Sequence, residues 1–183
     1  MIALIRPAIT MVLAFTLLLG LMVPLAFTGL AGVLFPNQAG GSLVVREGRV
    51  VGSALLGQNF TEERFFHPRP SATATPYDAA ASAASQLGPT SAALLDAVTE
   101  RVAALGGGPV PADAATASAS GLDPHISPEN ALRQVMRVAR ARGLPEAQVA
   151  ALVAARVEAR EFGLLGERRV NVLRLNLALD ALR

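Results

Sequence analysis

An α+β fold is what the 183-residue sequence predicts: a single N-terminal transmembrane helix followed by one mixed α/β soluble domain outside the cytoplasm. Three observations carry that prediction. No charged residue stands between Arg6 and Arg46. Just after this run, two short apolar segments flank a charged turn containing glycine. Farther on, three segments repeat their apolar residues at helical spacing, and a last one mixes period 2 with period 3.6. A hydrophobic content of 52% with mean hydropathy +0.43 is high for a purely soluble chain, and the uncharged opening holds much of the excess.

The anchor is assigned to residues 1–36 and the extracytoplasmic domain to residues 37–183. From Pro7 to Phe35 the chain is dominated by Ile, Leu, Val, Ala, Met and Phe, and a span of the hydrocarbon core needs only about 20 such residues. Pro24 is tolerable inside a membrane helix, where local adjustment satisfies the carbonyl it frees, and Pro36 with Asn37 ends the run. A cleaved secretory leader, whose apolar region is typically about 7–15 residues, is too short to fit, and a buried soluble helix fits less well still. Arg6 forms a short positive flank, so the expected topology places the N-terminus in the cytoplasm and the domain outside.

Within the domain, Leu43 to Val45 and Val50 to Leu56 read as a β-hairpin around Arg46, Glu47, Gly48 and Arg49. Residues 60–90, rich in Pro, Ser and Ala, favour an extended path that is either disordered or committed to contact. Thr90 or Ser91 caps a helix carrying Leu94, Leu95, Val98, Val102 and Leu105, which Gly106 stops. Ser127 and Pro128 start a second helix, expected to bury Leu132, Val135, Met136 and Ala139 and to end at Gly143. A third is expected from Pro145 to near Gly163. In the tail, Leu173, Leu175, Leu177 and Leu179 alternate as in a strand, while Val172, Leu175, Leu179 and Leu182 repeat as on a helix. A short strand turning into a helix reconciles the two.

Composition excludes several chemistries. There is no cysteine, hence no thiolate metal site or cysteine nucleophile. All sixteen basic residues are arginine, so the lysine that ends most phosphate-cradling loops is missing. His67 and His125 are the only imidazoles, far apart and without a carboxylate cluster of ligand spacing, so no metal site is expected. Residues 41–128 carry five arginines and eight acids, residues 129–183 ten arginines and six acids. Arg133, Arg137 and Arg140 share one face of the second helix. Without a glycine-rich loop or aromatic platform beside them they read as a solvated face, rather than a phosphate or headgroup patch, and no nucleic-acid partner is expected. Around Asp123, His125 and Ser127 a nucleophile with its base can be imagined, but no strand, elbow and helix pattern surrounds any serine. A loop in which Asp123 caps a turn, His125 packs locally and Ser127 caps a helix is the simpler reading. No catalytic residue is assigned.

Five strings, in this order behind one apolar span, carry a resemblance: GSALLGQNF (52–60), FFHPRPSAT (65–73), LGPTS (87–91), TASASGLDPHISP (116–128) and FGLLGERRVNVLRLNLALD (162–180). They are similar to the C subunit of the bacterial Kdp potassium-transporting P-type ATPase, over nearly the whole chain. The resemblance implies a non-catalytic accessory subunit in the inner membrane. Its implied partners are a potassium-channel-like subunit, the ATPase subunit that is phosphorylated on aspartate, and a small membrane peptide, all among membrane lipid. ATP and potassium would be handled by the complex, and this chain would serve assembly and stability. The family's C subunit is also proposed to act as a catalytic chaperone that raises the pump's affinity for ATP. Gln58, in LLGQ, is a weak candidate for nucleotide contact through its likeness to the glutamine-ended signature of other ATPases, and otherwise a loop residue. By position in the motifs, Gln58, His67, Arg69, Ser71, Asp123, His125, Ser127, Asn171 and Asn176 are the candidates for holding the loops or facing partner subunits. Pro68, where the family usually has glycine, and Ala119 depart from its pattern and stiffen loops. Two other functions fit parts of the sequence: a membrane-anchored periplasmic hydrolase using Asp123, His125 and a serine, and a secreted binding protein.

Overall fold

A computed structural model describes residues 2–182. The chain forms two compact units that meet between Leu43 and Val44. The first is a helix without interruption from α1 (Ile2–Leu17) through a π-helical turn (Leu18–Met22) into α2 (Val23–Leu34), followed by the short α3 (Pro36–Ala39). Its apolar stretch Ala3–Leu34 is 32 residues long, about 48 Å at 1.5 Å per residue, against about 30 Å of hydrocarbon. None of its described side chains is buried. The π turn has a local cause. Pro24 has no N–H to give to Gly20, and its ring crowds that carbonyl. The helix widens just ahead of it, with the Val23 N–H reaching back five residues to the Leu18 carbonyl.

The division falls one residue into β1 (Leu43–Arg46), which forms a two-stranded sheet with β2 (Arg49–Ser53) of the second unit. Glu47 and Gly48 between them both have positive φ, 52° and 76°, as a type I′ turn requires. No helix or strand follows until α4 (Ala92–Ala104) and α5 (Ala112–Ala115). Next come β3 (His125–Ile126), α6 (Pro128–Arg142), α7 (Glu146–Ala155), β4 (Val157–Glu158), β5 (Arg169–Asn171) and α8 (Val172–Asp180). β5 is the middle strand of an antiparallel sheet in the order β3-β5-β4, with His125 opposite Asn171 and Val157 opposite Val170. Helices α6 and α7 pack on each other, and α8 leaves the sheet directly from β5. Phe66, Ile126, Val138, Val149, Val153, Val170, Leu175 and Leu179 make the core, each burial stabilising by about 1.5–3 kcal/mol.

Two helix assignments are corrected. On α6 the buried stripe is Ala131, Gln134, Val135, Val138 and Ala139, whereas Leu132 and Met136 are 51% and 56% exposed. Gln134 faces inward because it bonds the backbone of the extended segment at His67. The third helix stops at Ala155, well short of Gly163. Beyond it Val157 is the only apolar residue before Phe162 apart from Ala159, so a continued helix has no face to bury, and strand pairing with Val170 wins. Helix α4 starts after Ser91 as expected but is only half-buried, with Leu95 exposed. The tail is the strand turning into a helix, β5 into α8.

The reassigned face of α6 is tested by a pair of truncations. Val138→Ala is expected to lose about 2 kcal/mol in denaturant unfolding of the full chain, and Leu132→Ala to stay within about 0.5 kcal/mol. Equal losses would contradict the assignment.

Candidate functional site

The motif residues converge on the extended segment Phe65 to Ser71 and the elements around it. This segment has no strand partner, yet Phe66 is wholly buried, so its backbone must be satisfied by side chains. Asn176 of α8 does this on one residue: its Oδ1 accepts from the Phe66 N–H at 2.8 Å and its Nδ2 donates to the Phe66 carbonyl at 3.0 Å. Gln134 of α6 repeats the pattern on the next, accepting from the His67 N–H at 2.7 Å and donating to its carbonyl at 3.1 Å. The two amides thus copy a ladder pair from opposite sides. Arg137 extends the grip, donating to the Glu63 and Phe65 carbonyls at 2.6 and 3.0 Å and to Gln134 Oε1 at 2.7 Å. Arg137 is therefore not part of a solvated face, although Arg133 and Arg140 are exposed. The His67 ring bonds the Glu62 carbonyl through Nε2 at 3.0 Å. Burial, reinforced by the Arg137 charge, holds its pKa below the ordinary value despite that bond, which favours the neutral ring.

Arg69 continues the segment into a charged cluster. Its Nη1 donates to Asp123 at 2.8 Å, and Nη2 reaches the Thr116 and Ala117 carbonyls at 3.5 and 3.4 Å. Asp123 Oδ1 accepts the His125 N–H at 2.9 Å, closing a turn over Pro124. The His125 ring stands between two carboxylates, Nδ1 3.6 Å from Asp123 and Nε2 3.8 Å from Glu158. Glu158 of β4 is itself 3.0 Å from Arg169 and 3.7 Å from Arg174. Burial alone would raise the Asp123 pKa, but the hydrogen bonds from His125 and the Arg69 guanidinium overcome it, and the carboxyl sits below its usual range. An open cleft of about 410 Å³ lies here, lined in part by Arg69, Asp113, Asp123, His125 and Arg169.

Ser127 caps α6, accepting the Asn130 N–H at 3.0 Å, and gives its own proton to Asp113 Oδ1 at 2.8 Å. Asp113 also accepts from the Ser127 N–H and from Asn130 Nδ2. The serine hydroxyl is thus committed to a cap and a carboxylate, and no imidazole receives its proton. Among the described residues no group of three or more His, Asp or Glu is placed to hold a metal ion.

Three further candidates knit loops. Asn171 caps α8 by accepting from the Arg174 N–H at 3.1 Å and ties it to the end of β2 by donating to the Ala54 carbonyl at 2.9 Å. Ser71 donates to the Gly121 carbonyl at 2.7 Å, joining residues 60–90 to residues 116–124. Ala83 and Ser82 bond the Ser120 carbonyl, so the proline- and serine-rich stretch is laid along the second loop. Gln58 Nε2 donates to the Leu56 carbonyl at 2.8 Å, and its Oε1 is buried without a hydrogen-bond partner. Beside it, a Cβ on Gly57 would come within 2.3 Å of the Tyr77 ring and 2.7 Å of the Asp123 carbonyl, so the turn admits only glycine. The Tyr77 hydroxyl donates to the Arg69 carbonyl at 2.7 Å, and burial pushes its pKa up. The sequence does not reveal the framework bonds of Gln134, Asp113 and Glu158, and it suggests a solvated face for Arg137. A polar residue at the buried spacing of α6 is the one sequence trace that points to Gln134.

Two measurements test this framework. Asn176→Ala orphans a buried N–H and a buried carbonyl and is expected to lose about 2–4 kcal/mol of unfolding free energy; a loss below about 1 kcal/mol would show that the clamp is dispensable. Because the folded-state pKa of Asp123 is depressed, its contribution is present above the ordinary carboxyl range, about pH 4, and is lost as pH falls through the lower folded value. Asp123→Asn is expected to remove about 1–3 kcal/mol at pH 7 and to flatten the acid limb of the stability curve. An unchanged acid limb would contradict the ion-pair account.

Comparison with known proteins agrees with the strings noted above. The family model described as "K+-transporting ATPase, c chain" (KdpC) matches residues 5–181. A protein of Methylobacterium nodulans named potassium-transporting ATPase KdpC subunit is 58% identical, with 97% of this chain and 96% of the relative covered. Proteins of the same name from Cereibacter sphaeroides, at 58% with 96% of each chain covered, and Methylorubrum populi, at 55% with 97% and 96% covered, are similar over the same extent. These matches over nearly the whole chain place it in one family: it belongs to the c chains, or KdpC subunits, of K+-transporting ATPases.

Proposed function

We propose that this chain is a non-catalytic accessory subunit of a multi-subunit, ATP-driven potassium importer of the bacterial inner membrane, needed for assembly and stability of the complex. It crosses the bilayer once, N-terminus in the cytoplasm and domain outside. Its partners are the potassium-channel-like subunit, the phosphorylated ATPase subunit and a small membrane peptide, and ATP and potassium belong to the complex. The observation that carries the non-catalytic part is the fate of the serine hydroxyl that follows His125: Ser127 gives its proton to Asp113 and accepts from the helix backbone, so it is not a nucleophile that His125 activates. The other motif side chains likewise spend polar atoms on framework bonds. Arg6 and the long apolar helix support the topology.

With the domain outside, direct contact with cytoplasmic ATP is impossible. Any influence on the pump's ATP affinity then travels through the membrane helices as a coupling between conformational states, and is reciprocal. Gln58 is held by the Leu56 carbonyl and functions as a loop residue.

Deleting residues 1–35 is expected to abolish copurification with the companion subunits, read by affinity pull-down from solubilised membranes; normal recovery would remove the anchoring role. Protease added to right-side-out vesicles is expected to digest the domain, and digestion only in inverted vesicles would reverse the topology.

A further inference from the structure

The β4–β5 hairpin ends in a segment that neither the core nor the loop framework uses. Phe162, Leu164 and Leu165 at its tip are 92%, 80% and 62% exposed. Apolar side chains scattered singly on a surface need no explanation, but three within four residues at a protruding turn do. Nor is this a loose loop. Glu161 and Leu165 exchange both backbone hydrogen bonds at 2.9 Å, and β4 and β5 pair below them. Phe162 is held at φ 53°, a left-handed conformation that an aromatic residue adopts only under constraint, and Gly163 and Gly166 complete the turn at 74° and 75°.

Around this knob the glutamates of the hairpin are all paired within it, while Arg156 and Arg168 make no ion pair among the described residues. Arg160 pairs with Glu167 at 2.6 Å, and Arg169 pairs with Glu161 at 2.9 Å and Glu158 at 3.0 Å. Every carboxylate of the hairpin is thus paired, and from Arg156 to Arg169 four arginines face three glutamates. A loop that dips into an anionic lipid surface carries a clear basic excess; a near-neutral ring of paired charges around an aromatic anchor is the anatomy of a protein interface. We infer that Phe162 to Leu165 form a preformed apolar knob that seats in an uncharged, apolar pocket on a companion subunit of the same ATPase. The inference rests on the subunit reading above and adds the surface and the chemistry of the contact. Preorganisation by the ion pairs and the turn removes most of the ordering loss on docking.

The chain contains no tryptophan, so F162W introduces a lone fluorescent reporter. In detergent, its emission is expected to shift to the blue when the full chain is mixed with its companion subunits, relative to the chain alone. Phe162→Ser combined with Leu164→Ser is expected to keep the wild-type melting curve, both side chains being exposed, and to weaken copurification about tenfold or more. If wild type copurifies and the double variant does so equally, or if the F162W emission does not move on assembly, the knob is not a docking element. Quenching of F162W by brominated lipid in phosphatidylglycerol vesicles without companions, with no change when they are added, would assign the tip to lipid and overturn the inference. Failure of wild type to copurify at all would remove the subunit reading and this one with it.

Discussion

The domain depends on giving a buried, partnerless length of backbone the bonds that a neighbouring strand would supply. Asn176 and Gln134 do this from two helices, each amide meeting the N–H and carbonyl of one residue, Phe66 or His67. A buried peptide group without a partner is destabilising by about 1–3 kcal/mol, so four such groups left open would consume much of the margin of a typical domain, about 5–15 kcal/mol. With them closed, Phe66 can enter the core at 0% exposure. The same bonds set where residues 67–71 leave the core, and hence where Arg69 meets Asp123 and Ser71 meets Gly121.

From this fixed path the loops are ordered without regular structure of their own. Asp113, Ser127 and Asn130 form one bonded group, Arg69, Asp123, His125 and Glu158 another, and Asn171 connects β2 to the start of α8. Such networks stabilise little per bond when satisfied and are strongly unfavourable when broken. They act mainly by selecting one arrangement of the loops. Asp180 adds a similar tie, with Arg142 at 2.7 Å and Arg46 at 3.2 Å.

Much of this was legible in the sequence, and the failures share a cause. The apolar span, the hairpin, the start of α6 at Ser127 and the strand-to-helix tail follow from local rules: composition, turn residues and capping. On α6, hydrophobicity ranks Leu132 and Met136 as inward, while the fold buries Ala131 and Gln134 instead, and Gln134 bonds a segment more than sixty residues away. The end of α7 is not marked locally, because Val157 finds its partner, Val170, only in the sheet. Asp113 and Glu158 look like ordinary surface acids in sequence, and only the folded chain shows whose protons and charges they hold.

The widened turn at Leu18–Met22 has a consequence for the greasy helix as a surface. One surplus residue in a helical ladder turns everything beyond it by about 100° relative to an unbroken helix. Positions seven apart that straddle the turn therefore look in different directions around the axis. A seam of side chains that an unbroken helix would carry from one end of the rod to the other is therefore split at this turn into two seams about 100° apart around the axis.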